Sequence, residues 1–130
     1  MKAGIIGLGL MGGSLGLALK ESSLFSLIVG DDINPVHRRQ AVYLGLVDEC
    51  LDFKGILDCD VIFLCTPVDS IVEIIKRIKN LRENQLVIDF GGVKKEIIKT
   101  IPQELRANFV SLHPMCGTEN FGTKAAFKDL

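Results

Sequence analysis

The 130-residue sequence has almost no net charge and no long apolar run. Residues 1–20 are apolar with one early lysine, but their glycine spacing and the lack of a small-residue cleavage pattern lead us to expect no signal peptide. Its 15 basic and 16 acidic residues leave a formal charge of -1, so no overall electrostatic attraction to nucleic acid or to an anionic membrane is expected. No run of about 18 apolar residues is present, as a membrane-spanning helix would require. We therefore expect a cytoplasmic protein that binds neither nucleic acid nor membranes, and in which any anion site is local.

The sequence also lacks the cysteine and histidine spacings of metal or redox centres. Its two histidines, His37 and His113, lie far apart and have no ligand spacing, so no metal site is predicted. The cysteines match no common zinc or redox pattern, and we interpret them as free thiols that are mostly buried. They are Cys50, Cys59, Cys65 and Cys116.

A glycine-rich turn near the amino terminus is the most informative pattern that is present. The apolar segment Ala3–Ile6 leads into a G-x-G-x-x-G motif, and apolar residues at helical spacing follow. Between a strand and a helix, this motif is typical of dinucleotide binding: the glycines permit a tight turn, close approach of a pyrophosphate and close packing of the helix. The start of the helix also attracts the negative charge. The predicted cofactor-binding residues here are Gly7, Gly9, Leu10, Met11 and Gly12.

An acidic residue at the end of the second predicted strand, Leu27–Val29, is expected to bind the ribose of the adenosine. Asp31 and Asp32 both lie about 20 residues beyond the glycines. Because consecutive strand residues point to opposite faces, we choose Asp32 and expect Asp31 to face away. A carboxylate there would repel a 2′-phosphate and favours NAD over NADP. Arg38 and Arg39 could in principle hold such a phosphate, but a charged helix face explains them more simply.

Strands and helices alternate along the rest of the chain. Asn34 and Pro35 predict the cap and first position of a helix that runs to about Tyr43, with His37 as a solvated surface residue. Residues 46–58 show no clear pattern and are interpreted as a connection. Three more strands are predicted at Val61–Cys65, Leu86–Phe90 and Phe109–Leu112, with helices around Ile71–Ile78 and over Lys94–Ile101.

This alternation predicts an α/β fold of the Rossmann type, an open parallel sheet with helices on both faces, in one domain over residues 1–130. The carboxyl ends of the strands would border the ligand crevice. Thr66 and Pro67 follow the third predicted strand and are expected to contact the cofactor. His113 follows the last one, where a neutral imidazole could accept a proton from a substrate hydroxyl as hydride leaves for NAD.

Four segments together resemble the nucleotide-binding half of the prephenate dehydrogenase family. The resemblance implies NAD-dependent oxidative decarboxylation of prephenate to 4-hydroxyphenylpyruvate, in tyrosine biosynthesis. It also implies that His113 contacts the ring hydroxyl of the substrate and assists hydride removal, and that Thr118 and Glu119 line the entrance to the active site. The segments are Gly7–Leu15, the aspartate followed by Ile33-Asn34-Pro35, Cys65-Thr66-Pro67-Val68 and His113-Pro114-Met115-Cys116-Gly117-Thr118-Glu119.

The sequence departs from that family in two places. Gly92 stands where the family commonly has a serine that hydrogen-bonds the catalytic histidine. Family members also continue into a helical C-terminal domain that forms the homodimer and binds the substrate carboxylates, and residues 1–130 contain no counterpart. We therefore expect the cofactor-binding part of a truncated enzyme, inactive by itself. An arogenate dehydrogenase and a non-catalytic dinucleotide-binding module are the alternatives.

Overall fold

The computed structural model describes residues 1–90 and 99–111, which form a six-stranded parallel sheet. The chain begins in the middle of the sheet, builds outwards to one edge, then crosses back and builds to the other edge. This confirms the predicted Rossmann-type sheet. The strands are β1 (Lys2–Ile6), β2 (Leu27–Asp31), β3 (Glu49–Cys50), β4 (Val61–Leu64), β5 (Leu86–Asp89) and β6 (Phe109–Ser111), in the spatial order β3-β2-β1-β4-β5-β6.

Helices connect these strands. Asn34 caps the second helix as predicted, because its side-chain oxygen accepts a hydrogen bond from the Val36 N–H at 2.9 Å and Pro35 occupies the first helical position. Of the helix predicted over Lys94–Ile101, residues 99–101 are described: 99 and 100 are helical, and Ile101 is in a bend. The helices are α1 (Leu10–Ser22), α2 (Pro35–Tyr43), α3 (Phe53–Leu57), α4 (Val68–Arg77) and a 3-10 helix at Gln103–Asn108.

The helices cover both faces of the sheet, as the sequence predicts. Because side chains alternate along a strand, neighbouring residues of β1 serve different cores. Ile5 packs with Leu15 of α1 on one face. Ile6 packs on the other face with Ile56 of α3 and Ile75 of α4. Each fully buried isoleucine contributes about 1.5–3 kcal/mol, so both faces stabilise the sheet.

The prediction of a patternless connection over residues 46–58 is wrong, because this segment contains β3 and α3. β3 is a two-residue edge strand, which is too short for alternation to show. α3 has five residues and contains Gly55, so it shows no helical period. Its signal is local instead: Asp52 caps it by accepting a hydrogen bond from the Gly55 N–H at 2.9 Å.

The strand register places the carboxyl ends side by side. Ile6 pairs with Asp31 on one side and with Leu64 on the other. Leu64 pairs with Asp89, which in turn pairs with Ser111. The carboxyl ends of these strands therefore lie together at one edge of the sheet. In the part of the chain that is described, no helix is long and apolar enough to cross a membrane.

Candidate functional site

In the turn that joins β1 to α1, the first and third glycines of the motif lie in contacts that leave no room for a side chain. Gly7 has a φ of 101°, and a Cβ there would lie 2.7 Å from Thr66 Cγ2 and 2.8 Å from the Cys65 carbonyl oxygen. A Cβ on Gly12 would collide with the Gly7 carbonyl oxygen. The first and third glycines of the motif are therefore required by the fold itself, because they let the start of α1 pack on the end of β1.

The middle glycine has a different environment. A Cβ built on Gly9 would have no described atom within 4 Å. Gly9 is also the N-cap of α1, and it receives no side-chain capping bond from the residues that the structure describes. The first turn of α1 contains no acidic residue, and Leu10 is 79% exposed. This end of α1 therefore combines open space, uncapped N–H groups and the positive end of the helix dipole, which suits an anion.

Asp32 lies directly above this turn. Its Oδ2 accepts a hydrogen bond from the Leu8 N–H at 2.7 Å, and its Oδ1 accepts one from the Asn34 N–H at 2.8 Å. His37 Nδ1 lies 3.3 Å from Oδ2. The Asp32 side chain is only 12% exposed. The carboxylate that follows β2 is thus fixed beside the glycine turn by backbone donors from both sides.

Asp31 has another partner. Its carboxylate forms an ion pair with Arg38 of α2. Burial raises the pKa of Asp31, although Arg38 opposes this increase. Arg38, which the sequence left as a possible ligand of a 2′-phosphate, is therefore already engaged. Asp31 also lines the cleft that is described in the next paragraph. The prediction that Asp31 faces away from the site is therefore wrong.

A cleft of about 740 Å³ opens between the carboxyl ends of β1, β2 and β4. It is bordered by the glycine turn, by the residues after β2 and by the start of α4. At its wall, Thr66 Oγ1 is buried and finds no hydrogen-bond partner in the described structure. Of the predicted cofactor-binding residues, the cleft brings together Gly7, Gly9, Asp32, Thr66 and Pro67.

Sequence reasoning missed two residues that line this cleft. His37, predicted as a solvated surface residue, keeps 42% of its side chain exposed, but its ring also contacts Asp32 and lies at the cleft wall. Its signal was its position in the first turn of a helix that starts just after Asp32. Arg77, at the end of α4, stacks its guanidinium 3.9 Å above the centre of the Phe53 ring. No pattern in the sequence indicated this contact, which joins two different helices.

The other predicted site residues lie outside the described residues. These are the proposed catalytic His113 and the proposed substrate-binding pair, Thr118 and Glu119. Gly92, which replaces the family serine, and Cys116 lie outside them as well. Their roles stay predictions.

The described cysteines are free thiols, as predicted. Cys59 is fully buried, whereas Cys50 and Cys65 are partly buried. Burial raises the pKa of all three thiols, and the nearby Asp89 carboxylate adds to the effect at Cys65. These thiols are therefore neutral at physiological pH and unsuited to nucleophilic chemistry.

Comparison with known proteins identifies the family. Residues 15–130 match the family model described as the nucleotide-binding domain of prephenate dehydrogenase. This chain belongs to the prephenate dehydrogenase family. The match confirms the resemblance to this family that the sequence motifs predict.

Curated relatives come from several bacteria. The chain is 33% identical to the prephenate dehydrogenase of Lactococcus lactis, over 94% of this chain and 36% of the relative. It is 30% identical to the prephenate dehydrogenase of Bacillus subtilis, over 94% of this chain and 34% of the relative. It is 32% identical to the cyclohexadienyl dehydrogenase of Zymomonas mobilis, over 97% of this chain and 44% of the relative. The chain thus spans between a third and a half of the length of these relatives.

Solved structures show the same architecture. The prephenate dehydrogenase of Aquifex aeolicus, in complex with hydroxyphenyl propionate and NAD+, is 36% identical with a TM-score of 0.80. That match covers 92% of this chain and 43% of the Aquifex chain. The arogenate dehydrogenase of Synechocystis is 31% identical with a TM-score of 0.73, over 92% of this chain and 42% of the other.

Proposed function

We propose that this chain binds NAD and serves as the cofactor-binding domain of an enzyme that oxidatively decarboxylates prephenate to 4-hydroxyphenylpyruvate. The single observation that carries the NAD assignment is the position of the Asp32 carboxylate, fixed beside an uncapped helix start and the open space at Gly9. The NAD+ bound to the Aquifex relative supports the same cofactor.

The residues that line the cleft and the adjoining start of α1 fit the two charged or polar parts of this cofactor. The N–H groups of Leu10 and Met11, at the start of α1, would bind the pyrophosphate, and the absence of a Cβ on Gly9 lets it approach the backbone. Asp32 would accept a hydrogen bond from the ribose. Its negative charge would repel a 2′-phosphate, and the Asp31–Arg38 ion pair keeps the nearest arginine from compensating.

When bound, NAD would supply the acceptor for hydride. We assign His113 as the residue that accepts the proton of the substrate ring hydroxyl, and Thr118 and Glu119 as substrate-binding residues, on the family motif that they form. An imidazole is suited to this task, since its charge state changes between pH 5 and 8. The arogenate and cyclohexadienyl dehydrogenases among the relatives keep a related substrate as the second candidate.

Calorimetric titration of the full chain with NAD tests the cofactor assignment. We expect binding, and we expect Asp32→Ala to weaken it by at least about tenfold, because charge-assisted bonds to the ribose would be lost. Asp58→Ala is the matched control: this carboxylate is 69% exposed and pairs with Arg82 away from the cleft. Absence of binding at millimolar NAD by the wild-type chain would refute the assignment.

The catalytic assignment is tested with prephenate as the substrate, in a form of the protein that turns prephenate over. There, His113→Asn should lower turnover by about 10²–10⁴-fold, as expected for loss of a general base. Production of NADH at the wild-type rate by this variant would reject the role of His113. Comparing prephenate with arogenate as substrate in the same assay separates the two candidate activities.

A further inference from the structure

His37 and Asp32 form a pair at the wall of the cleft. His37 Nδ1 lies 3.3 Å from Asp32 Oδ2, and its side chain is 42% exposed against 12% for Asp32. The two residues are joined by the first turn of α2, so the contact depends on local structure that the Asn34 cap stabilises. The pair is therefore a built feature of the site, with a buried carboxylate and a more accessible imidazole.

Most of the hydrogen-bonding capacity of Asp32 is already used. A carboxylate offers about four acceptor positions, two on each oxygen. At Oδ2, the Leu8 N–H and His37 Nδ1 occupy both positions. At Oδ1, the Asn34 N–H occupies one. Asp32 therefore has one position left, whereas a ribose presents two hydroxyl groups.

The chemistry of the contact also determines which nitrogen of His37 is free. The ionised carboxylate can only accept, so Nδ1 must carry the proton that it donates to Oδ2. In the neutral ring, Nε2 is then an acceptor. No other described residue hydrogen-bonds this ring. His37 can thus supply the acceptor position that Asp32 lacks.

We propose that His37 is a second ribose-binding residue, which donates a hydrogen bond from Nδ1–H to Asp32 Oδ2 and accepts one from a ribose hydroxyl at Nε2. This inference rests on the proposed binding of NAD. An acceptor at this place matches a hydroxyl and mismatches a phosphate, whose oxygens are acceptors themselves. His37 therefore acts with Asp32 to select an unphosphorylated ribose.

The charges around the pair support this selectivity. Asp31 lies next to Asp32 along the chain, and its partner Arg38 is held in their ion pair. From α4, Asp69 and Glu73 line the same cleft. The cation that α4 contributes, Arg77, is stacked on Phe53. The cleft wall thus offers a 2′-phosphate little uncommitted positive charge among the described residues.

The test is a set of calorimetric titrations of the full chain and of His37→Ala with NAD, NADP, ADP, 2′-deoxy-ADP and 3′-deoxy-ADP. We expect the variant to bind NAD and ADP about threefold to tenfold more weakly, as for loss of one hydrogen bond. The preference of the wild type for ADP over one deoxy analogue should shrink by at least half. The preference for NAD over NADP should fall about threefold or more.

Two further variants separate this role from a structural one. His37→Gln keeps a donor and an acceptor on one side chain, so it should restore part of the preference for NAD and for the hydroxylated nucleotide. Gln40→Ala, on the exposed side of the same helix, should change none of these ratios.

Equal weakening of all five ligands by His37→Ala would overturn the inference, because it would indicate a general disturbance of the helix. Unchanged affinities would overturn it as well, while leaving NAD binding by the wild type intact. If the wild type bound neither NAD nor ADP, the proposed function and this inference would fail together.

Discussion

The two ends of the parallel strands differ in how far their polar groups find partners. We call the side where the strands begin the amino edge, and the side where they end the carboxyl edge. At the amino edge, Gln85 precedes β5 and is only 4% exposed, yet its side chain is fully engaged. Its Oε1 accepts from the Arg82 N–H at 2.7 Å, and its Nε2 donates to the carbonyl oxygens of Leu57 at 2.6 Å and Cys59 at 2.9 Å. Asn108, which precedes β6, donates to the carbonyl oxygens of Arg82 and Gln85. At this edge the buried side-chain amides therefore have their partners.

The carboxyl edge leaves polar groups open. Thr66 Oγ1 is buried without a partner in the described structure, the N-cap of α1 lacks a side-chain acceptor, and the space beside Gly9 is empty of described atoms. Buried polar groups in folded proteins are nearly always satisfied, and exceptions point to strain or to a ligand. The polar groups at the amino edge therefore stabilise the fold, whereas those at the carboxyl edge are arranged to bind a ligand.

The largest expected effect separates two glycines that belong to the same motif. Gly12→Ala should destabilise the chain by about 3 kcal/mol, because the new methyl group would force α1 away from β1. Gly9→Ala should change stability little, and instead weaken NAD binding by about tenfold or more by filling the open space. Denaturant unfolding and NAD titration of both variants measure this. Equal loss of stability in the two variants would contradict the distinction.

The amino edge should respond in stability alone. Gln85→Ala should cost about 2 kcal/mol, since it leaves the Arg82 N–H and two carbonyl groups without their partner. NAD affinity of the folded variant should equal that of the wild type. Urea unfolding measures the stability of the variant and calorimetry measures its NAD affinity. A weakened affinity at unchanged stability would contradict the proposed difference between the two edges.

At the carboxyl edge, deleting a buried polar group should raise the stability of the ligand-free protein and not lower it. Thr66→Val keeps the shape of the side chain and removes a buried hydroxyl that has no described partner, so stability without ligand should rise by about 1 kcal/mol. We expect NAD affinity to fall at the same time, because Thr66 lines the cleft. Thermal melting with and without NAD tests both signs. A destabilised variant would show that the hydroxyl already has a structural partner.

The smallest effect concerns an ion pair at the amino end of β3, outside the lining of the cleft. Asp48 accepts hydrogen bonds from the Ile28 N–H at 2.8 Å and from Lys20 Nζ at 2.9 Å, and these lower its pKa, the backbone bond contributing most. A carboxyl group whose pKa is lower in the folded state stabilises the fold at pH values above its unfolded pKa. This stabilisation is lost as the pH falls through the folded pKa. Asp48→Ala should therefore cost about 0.5 kcal/mol at pH 7, given that the side chain is 38% exposed.

Denaturant unfolding of this variant and of the wild type between pH 7 and about pH 3 measures the difference in stability. The difference should shrink as the pH falls below 3.8, the ordinary pKa of an aspartate. A loss of stability that stayed constant over this range would assign the effect of Asp48 to packing and not to its charge.

Sequence reasoning succeeded where the signal is local. The turn at Gly7, the cap at Asn34 and the buried run of β4 each follow from a few neighbouring residues and from the conformations that they permit. It failed at β3 and α3, which are too short to show a period. It also failed to connect His37 with Asp32, because a single histidine in the first turn of a surface helix is usually solvated.

By itself, the sequence determined the family, the alternation of strands and helices and the place of the glycine turn, because these depend on motifs and periodicities along the chain. Only the tertiary structure decided which groups at the carboxyl edge have partners. That Asp31 pairs with Arg38, that Asp32 holds the Leu8 N–H and that Gly9 faces open space are matters of distance through space. Spacing along a chain does not specify such distances, since they result from how the sheet and its helices pack.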